Sequence, residues 1–559
     1  VRDGRHPSLH AVTATRPAWS ALEVALEHPA TTGHAADASV SGVADLGVVT
    51  ATWVNTIVVE RGAESELVIA VAGTDHDGGT DAAIAAVLGD PAAAFATMIK
   101  TWEDRVRSGV GWNSGRPAVD RLFAHAKLWA HKDSRMVPLG SPYASGSTDN
   151  EQVLALTASP DYHGIFANDN GQSCWELGAL GPDFHPVLDQ TLDILFRFGL
   201  PESVEIDPVD ATGTPWLSPL RIGQRPQWVI GAAALVLWSG RYQDRYWPRV
   251  QEVLDHFAAD DRDSDWLDDY SSSTFPEQPD PGRFRHEMLY ASAFWFQAFG
   301  LGSELATYLG DPGRAEVYEQ SARHIAEAVE HRFGTPYGYA SWLDAEHHQH
   351  PHQGHTMVLP LQYEMASAER AAATFETLLR GPIWDDNGPL AMEPAYPDLG
   401  GAHSWGFMRW NLVDALFRYD RADEAASLLE RWAVQEQTSH FSAPEGFPTV
   451  TGVTGHGYVW TAARSLRALL FGLAGVRLTG GGLVLAPRLP AGWGPVRLER
   501  LPFRGSTYDI VIEHGAVGGL EVDGRPLVWG TPISPSGVPG HHVVSARLGP
   551  PQRGDSARG

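Results

Sequence analysis

The sequence predicts a mainly α protein, an (α/α)6 toroid barrel with a partial N-terminal β-sandwich before it and a small C-terminal β-domain after it. Helical periodicity dominates from about residue 117 to residue 476. Roughly 360 residues of helix and loop accommodate about a dozen helices of typical length, which is the number in such a barrel. Short β-branched runs separated by turn residues flank this region on both sides. Length alone does not distinguish the barrel from an α-solenoid.

Residues 1–112 form the first predicted domain. The runs "LGVVTATWVNTIVVERG" and "ELVIAVAG" alternate β-branched residues with Gly, Asn and Asp, which is typical of strands in a sandwich. The strands are few and begin abruptly, so we expect the sandwich to be incomplete at its N-terminus. The segment "DPAAAFATMIKTWEDRVRSG" has a helical pattern and is predicted to link the sandwich to the barrel.

Residues 113–475 form the predicted barrel. Apolar residues recur at helical spacing, and Gly or Asp punctuates the ends of the helical stretches. The clearest stretches are "PVLDQTLDILFRFG", "PQWVIGAAALVLWSG", "EMLYASAFWFQAFGLGSELATYLG", "AEVYEQSARHIAEAVEHRFG", "WNLVDALFRYDRADEAASLLERWAVQ" and "WTAARSLRALLFGLAG". Residues 476–548 then alternate apolar residues with Gly and Pro turns, which predicts a β-domain. Residues 549–559 are predicted to be a disordered tail.

Composition excludes several classes of partner. The formal net charge of -27 repels phosphate backbones and anionic lipids, so we expect neither nucleic acid nor a membrane as partner. No apolar run approaches the roughly 20 residues of a membrane-spanning helix.

Cys174 is the single cysteine, and it is predicted to be a buried small hydrophobe. The compartment stays open, and the lack of a visible leader slightly favours the cytoplasm. The oligomeric state is not determined by the sequence.

An acidic loop between two helices offers the first candidate carboxyl group. In "DRDSDWLDDYSSSTFPE", Asp268 and Asp269 stand beside Trp266 and Tyr270. Aromatic rings pack against sugar faces, and burial beside them raises the pKa of a carboxyl group. Cleavage of a glycosidic bond by acid and base needs such a protonated group and a second, ionised one. The alternative is a solvated connector whose aspartates cap helices.

A Gly-rich and Thr-rich loop offers the second candidate. Glu445 follows Pro444 in "HFSAPEGFPTVTGVTGHGYVW", just before a strongly apolar helix. Such a loop can expose a carboxylate at the mouth of a barrel. The alternative is an ordinary loop glutamate.

The order of these motifs resembles glycoside hydrolases with an (α/α)6 barrel, with glycoside hydrolase family 63 as the nearest family. The segment "WLDDYSSS" is similar to the "GLDDYPR" motif of that family and to the "GWD" motif of family 37 trehalases, which implies that Asp268 is the general acid. The loop from Glu445 to Trp460 is similar to the segment that carries the general base, which implies that role for Glu445. "HGIFANDNGQSCWELGAL" resembles "GFLWDEGFH", which implies that Asp169 binds sugar hydroxyls.

The chain departs from the family pattern at two places. Where relatives carry "YWRGxxW", this sequence has "HSWGFMRWN", with Trp405 and Trp410 in place but Gly406 at the position of the Arg. Asn168 stands where a Trp precedes the binding Asp. The β-rich flanks resemble those of families 65 and 78, the disaccharide phosphorylases and rhamnosidases. Trp266, Tyr270, Trp405 and Trp410 are nevertheless expected to line the sugar site beside Asp169.

No metal or cofactor is expected, because the chemistry asks only for two carboxyl groups and water. The histidines of "EHHQHPHQGH" have no defined metal-ligand spacing, and we interpret them as a polar loop at the rim of the barrel. The leading hypothesis is an inverting, exo-acting hydrolase of an α-linked glucoside or related glycoside, with a carbohydrate as its substrate. The alternatives are a phosphorylase on the same fold and an inactive glycan-binding protein.

Overall fold

The fold was analysed in a computed structural model. It describes residues 12–14, 21–27, 49–51, 68–74, 90–138, 152–159, 165–199, 225–261, 263–268, 287–344, 346–350, 354–390, 404–438, 443–444, 446–447, 457–534 and 539–549. The chain divides into two compact units, Val1–Asp104 and Arg105–Gly559. In the first unit, the described strands form two antiparallel pairs, β1 with β3 and β2 with β4. Their bounds are β1 Val12–Ala14, β2 Ala21–Glu27, β3 Val49–Ala51 and β4 Val68–Thr74.

The helices follow the predicted stretches closely. Among the described residues they are α1 Pro91–Arg107, α2 Pro117–Lys132, α3 Cys174–Leu177, α4 His185–Gly199, α5 Arg225–Ser239, α6 Gln243–Asp260, α7 Leu289–Leu309, α8 Pro312–Arg332, α9 Val358–Gln362, α10 Ala368–Arg380, α11 Gly406–Arg418, α12 Ala422–Thr438 and α13 Val459–Arg467. Turns of π-helix precede α3 at Ala167–Gly171 and extend α13 at Ala468–Leu473. Short 3-10 helices lie at Gly178–Leu180 and His355–Met357.

Six of these helices close into an inner ring. Each packs against the next, in the order α3, α5, α7, α9, α11 and α13, and α13 packs against α3. Helices α2, α4, α6, α8, α10 and α12 pack on the outside of this ring. The inner helices are covered on both sides, so their residues are buried all round: every residue of α5 and of α13 is buried. A closed ring of helix hairpins confirms the predicted (α/α)6 toroid and excludes the open α-solenoid.

One helical stretch of the sequence divides into an inner and an outer helix. The segment "WNLVDALFRYDRADEAASLLERWAVQ" contains no Pro or Gly, but α11 ends at Arg418 and α12 begins at Ala422. Asp420 has a φ of 57°, in the left-handed region that ends helices. Asp adopts this conformation more readily than most residues. A single residue, Asp420, therefore ends one helix and turns the chain into the next.

Short antiparallel strands lie between the helices. They are β6 Ser134–Pro138 with β7 Gln152–Leu156, β8 Gly334–Thr335 with β9 Gly338–Tyr339, β10 Trp342–Leu343 with β11 Gln349–His350, β12 Trp384–Asp385 with β13 Gly388–Pro389, and β14 Ser404–Trp405 with β15 Gly446–Phe447. The pair β14 and β15 is important for the site, because it places Trp405 opposite Gly446.

The C-terminal β-domain holds a hairpin and a six-stranded sheet. The strands are β16 Val476–Thr479, β17 Gly482–Leu485, β18 Val496–Phe503, β19 Ser506–His514, β20 Gly519–Val522, β21 Arg525–Leu527 and β22 His541–Leu548. The sheet has the order β21, β20, β22, β19, β18 and then β5, which is Gly111–Asn113. Strand β5 therefore joins this sheet from a position before the barrel. None of the described helices combines the length and apolar character that crossing a membrane requires.

Cys174 lies at the start of α3 and is fully buried. Its Sγ atom donates to the carbonyl oxygen of Asn170 at 3.2 Å. Burial raises the pKa of the thiol, so the group stays protonated and unreactive. This agrees with its prediction as a small buried hydrophobe.

Candidate active site

The candidate site is built on the N-terminal ends of the inner helices. Side chains at the starts of several of these helices bond to one another, which shows that these ends meet at one end of the ring. The Tyr458 hydroxyl, just before α13, donates to Oδ1 of Asp169, just before α3. Oδ1 of Asn168 accepts from Gln227 of α5 at 2.9 Å and from the hydroxyl of Tyr290 of α7 at 3.0 Å. Inner helices that run parallel place chemically active residues together at this end.

Asp169 lies in the π-helical turn before α3 and is 7% exposed. The turn comes close to α5 because position 231 of that helix is glycine: a Cβ atom there would stand 2.0 Å from the carbonyl oxygen of Gly171. The charge of Asp169 acts on its surroundings. Burial and then this charge raise the pKa of the Tyr290 hydroxyl well above its ordinary value, so Tyr290 remains a hydrogen-bond donor.

Asp268 lies at the end of a strained turn and is 1% exposed. The indole Nε1 of Trp295, on α7, donates to its Oδ2 atom at 2.8 Å. Ser264 and Trp266, earlier in the turn, have φ values of 64° and 73°, which are costly for residues with side chains. The carboxylate of Asp261 stabilises this conformation by accepting from the backbone N–H groups of residues 265 and 266, each at 3.0 Å. The turn therefore holds Asp268 against inner helix α7.

Glu445 and Tyr270 lie outside the described residues. The neighbours of Glu445 on both sides are described. Pro444 accepts at its carbonyl oxygen from the Thr461 hydroxyl at 3.0 Å, and Gly446 pairs with Trp405. These contacts fix the chain on either side of Glu445 at the N-terminal ends of α11 and α13.

Gly406, the departure from the expected Arg, has a steric explanation. A Cβ atom at this position would stand 2.3 Å from the carbonyl oxygen of Pro444 and 2.8 Å from Oγ1 of Thr461. The segment before Glu445 thus occupies the space that a side chain at position 406 needs. Any side chain larger than hydrogen would displace the backbone on which Glu445 is carried.

The four predicted aromatic residues have different environments. Trp405 is half-buried beside Phe407, with ring centroids 5.7 Å apart, at the N-terminal end of α11. Trp410 is fully buried and packs edge-on against Trp432 of outer helix α12, with ring centroids 6.1 Å apart. Trp405 belongs to strand β14, whereas Trp410 lies inside α11, so the two side chains meet different surroundings.

Trp266 lies in the turn that leads to Asp268. Its indole stacks on Phe257 of outer helix α6 at 6.5 Å and lies 4.5 Å from the ring of His324 on outer helix α8. This half-buried side chain therefore packs on the outer layer of the barrel. The sequence showed an aromatic residue two positions from Asp268, but not the left-handed backbone that turns it away.

Sequence analysis missed the residues that position the candidate carboxyl groups. Asn168, Gln227, Tyr290 and Tyr458 hold the turn of Asp169, and Trp295 holds Asp268. Asn168 was visible as a departure from the family pattern, and its role explains the departure: an amide can accept two hydrogen bonds where an indole cannot. Buried polar residues such as Gln227 carry no local pattern that would identify them.

A further buried acid, Glu436 of α12, belongs to the contact between the layers. It lines a small internal cavity with Trp410, His125 and Ser465. Burial raises its pKa to about 7, against the opposing effects of the Arg409 charge and the backbone N–H of residue 443. Because α12 is an outer helix, we assign Glu436 no place in the candidate site.

Two family descriptions match parts of the chain. Residues 238–387 match the model of the bacterial alpha-L-rhamnosidase 6 hairpin glycosidase domain. With the closed ring of helix hairpins, this match decides the fold. The barrel has the six-hairpin fold. Residues 476–526 match the glycosyl hydrolase family 65 C-terminal domain. No curated protein sequence matches the chain.

Three solved structures are similar to this six-hairpin chain. The family 78 rhamnosidase of Bacillus sp. GL1 has 12% identity and a TM-score of 0.57, covering 97% of this chain and 53% of its own. A protein described as a sialidase has 12% identity and a TM-score of 0.55, with 74% and 39% covered. The alpha-L-rhamnosidase from Dictyoglumus thermophilum has 13% identity and a TM-score of 0.51, with 74% and 44% covered. The chain thus spans about half the length of these proteins or less, and the likeness concerns the fold.

Proposed function

We propose that the chain is an exo-acting glycoside hydrolase that cleaves an α-linked glycoside with inversion at the anomeric carbon. The observation that carries this proposal is Asp268, a carboxyl group that is 1% exposed and accepts from an indole N–H in the second turn of inner helix α7. The six-hairpin fold and the position of Asp169 at the same end of the ring support it. Asp268 would protonate the leaving oxygen, and Asp169 would accept hydrogen bonds from sugar hydroxyls.

Glu445 is proposed as the base that activates water. An inverting enzyme needs room for that water, so the two carboxyl groups should stand roughly 6.5 to 9.5 Å apart, against roughly 5 to 5.5 Å in a retaining enzyme. Both neighbours of Glu445 are packed at the starts of α11 and α13, opposite α7 in the ring of six. This placement across the ring suits a base that attacks from the face opposite the acid.

The substrate class is proposed from the relatives. The resemblance to family 63 favours α-glucosides, and the matched six-hairpin description names α-L-rhamnosidases. Both sugars are neutral, which suits a chain with a formal net charge of -27. We therefore expect turnover of aryl α-glucosides or aryl α-L-rhamnosides, measured as free sugar from a panel that also includes the β-linked forms.

The roles of the two carboxyl groups predict different behaviour of their variants. Asp268→Asn removes the proton donor, so its loss of rate should be smallest for substrates with good leaving groups, which need that proton least. Glu445→Gln removes water activation, and a loss of roughly 10²-fold or more should persist for all leaving groups. Glu376→Gln, on an exposed face of α10, is the matched control and should keep full activity. Equal losses for all leaving groups in both variants would contradict the assignment.

Stereochemistry is the second test of the same proposal. Proton NMR of the first-formed sugar should show inverted configuration. A retained configuration would overturn the inverting mechanism even if both residues proved essential.

Phosphorolysis is a second candidate function, favoured by the match of residues 476–526 to the family 65 C-terminal domain. In a phosphorylase, phosphate replaces water and a base carboxylate is not needed. The same panel should therefore be measured with and without phosphate. Sugar phosphate as the product, with a rate that depends on phosphate and survives Glu445→Gln, would favour this candidate over hydrolysis.

A further inference from the structure

A cluster of possible metal ligands lies beside the turn that carries Asp268. Asp263 and Asp265 belong to that turn, Glu287 stands just before α7, and His347 stands before α9. Each of the four offers one oxygen or nitrogen atom, and these atoms all lie within 4.8 Å of one another. Three separate segments of the barrel therefore bring their donors to one point.

The cluster has more negative charge than its neighbours balance. Arg332 contacts Oδ2 of Asp265 at 3.1 Å, and Nδ1 of His347 lies 2.7 Å from Oε1 of Glu287. Nε2 of the same imidazole lies 3.5 Å from Oδ2 of Asp263. One guanidinium and one imidazole thus face three carboxyl groups in the described part of this cluster.

Glu287 supplies the observation that points to a ligand. It is 1% exposed, and its Oε2 atom has no hydrogen-bond partner among the described residues. A buried carboxylate oxygen without a partner is unfavourable, and native structures satisfy nearly all such atoms. The carboxylate of Asp265 faces the same point, so the two carboxylates repel each other. A cation between the carboxylates would satisfy the oxygen and remove the repulsion.

We propose that Asp263, Asp265, Glu287 and His347 bind a divalent cation that accepts one imidazole nitrogen among oxygen ligands, such as Mn²⁺ or Zn²⁺. Carboxylates alone suit Mg²⁺ and Ca²⁺, and the imidazole shifts the preference toward transition metals. The expectation from the sequence that the chain binds no metal is revised in this respect. The cation is assigned no part in bond cleavage.

The site would join three parts of the catalytic end of the barrel. Asp265 is three residues before Asp268, and residues 287 and 347 precede inner helices α7 and α9. A bound cation would therefore hold the strained turn of Asp268 against both helices. The bonds from Asp261 stabilise the first half of the turn, and the cation would stabilise its attachment to the ring.

A neighbouring cluster provides a contrast. Asp344, Glu346 and His348 also lie close together, but they are mostly exposed to solvent. The carboxylate of Asp344 already accepts from two backbone N–H groups and from His350, and these bonds lower its pKa to about 2. It offers no unsatisfied oxygen for a cation, so we assign no site there.

Metal binding can be measured directly on the full chain. After treatment with a chelator, titration with Mn²⁺ followed by electron paramagnetic resonance should show one tightly bound ion per chain. Electron spin echo spectra should show modulation by an imidazole nitrogen. Asp263→Asn and Glu287→Gln should each weaken binding by about tenfold or more. His347→Asn should abolish the nitrogen signal, and Asn suits the φ of 59° at this position.

The controls separate ligation from folding. Glu346→Gln, in the neighbouring cluster, should leave Mn²⁺ affinity unchanged. Asp263 has a side chain that is 40% exposed, so its variant should fold with an unchanged circular dichroism spectrum. No binding at millimolar Mn²⁺, or equal affinity in the Asp263, Glu287 and Glu346 variants, would overturn the proposal. Because no substrate is used, these results are independent of the proposed hydrolase activity.

Discussion

Asp169 shows at the scale of one residue how the barrel builds its candidate site. The π-helical turn before α3 supplies the carboxylate, α5 supplies the space for this turn at Gly231, and the residue before α13 supplies a hydroxyl donor. Oxygen atoms of Asp169 and Asn168 accept from side chains on or next to three inner helices, α5, α7 and α13. A residue held from several sides keeps its orientation, which would lower the entropic cost of binding the proposed sugar substrate.

His131 permits a prediction of pH dependence at the same scale. It lies in the last turn of α2 with its ring edge-on to Phe184, centroids 5.1 Å apart. Burial first, and then the charges of Arg105 and Lys127, lower its pKa to about 4. The unfolded chain has the ordinary value of 6.5, so it binds a proton at a pH where the folded chain does not. The contribution of neutral His131 to the free energy of unfolding is therefore complete above pH 6.5 and is lost as the pH falls toward 4.

The measurement compares urea unfolding of the wild type and His131→Gln at pH 7 and pH 4. The free energy of unfolding of the wild type should fall relative to the variant by about 1 to 3 kcal/mol over this range, since one pKa unit corresponds to about 1.4 kcal/mol. His331→Gln, at an exposed position of α8, is the control and should give a constant difference. A constant difference for His131→Gln as well would show that its environment does not disfavour the imidazolium.

At the scale of elements, the helices could be predicted from the sequence because their apolar residues recur at a fixed spacing. The stretch predicted from Pro226 to Gly240 is observed as α5, Arg225–Ser239. Contacts between distant segments were not predictable in this way. Strand β5 pairs with β18, nearly 400 residues away, and three residues give no pattern that identifies a partner. The surroundings of Trp266 and Trp410 could not be predicted for the same reason, because they depend on which layer of the barrel each side chain contacts.

The contact between α5 and the Asp169 turn gives a prediction for an element. A Cβ atom at Gly231 would stand 2.0 Å from the Gly171 carbonyl oxygen, so Gly231→Ala must push the turn away from the helix. We expect a loss of about 1 to 3 kcal/mol in the free energy of unfolding and a lower rate of glycoside cleavage, because Asp169 moves with the turn. Urea unfolding and turnover of the aryl glycoside measure the two effects.

Gly300→Ala is the matched control for this prediction. Gly300 lies inside α7, also an inner helix, and a Cβ atom there would meet nothing within 4 Å. Alanine favours the helix over glycine, so this variant should be as stable as the wild type or more stable by up to about 1 kcal/mol. If both variants behaved alike, the close approach at Gly231 would not be what positions the turn.

The whole molecule is closed by a network of buried charges. Glu176 of α3 binds both Arg464 and Arg467 of α13, and Arg467 also binds Asp414 of α11 at 2.7 Å. All four side chains are at most 1% exposed. Glu176 and Arg464 are 288 residues apart in sequence, and their contact lies where the last inner helix meets the first. The ion pairs therefore stand at the closure of the ring.

Removing one partner of this network should destabilise the entire barrel. Glu176→Gln keeps the shape of the side chain but leaves two buried guanidinium groups facing a neutral amide, at a cost of about 3 to 5 kcal/mol in the free energy of unfolding. Glu364→Gln is the matched control, because Glu364 also binds two arginines, Arg418 and Arg477, but its side chain is 36% exposed. Water replaces the lost pairs there, so the cost should be at most about 1 kcal/mol. Urea unfolding followed by circular dichroism measures both variants, and because the contact joins the two ends of the ring, the loss in Glu176→Gln should appear in the main helical transition. A loss of 1 kcal/mol or less for Glu176→Gln would mean that packing between α3 and α13 closes the ring without help from the charges.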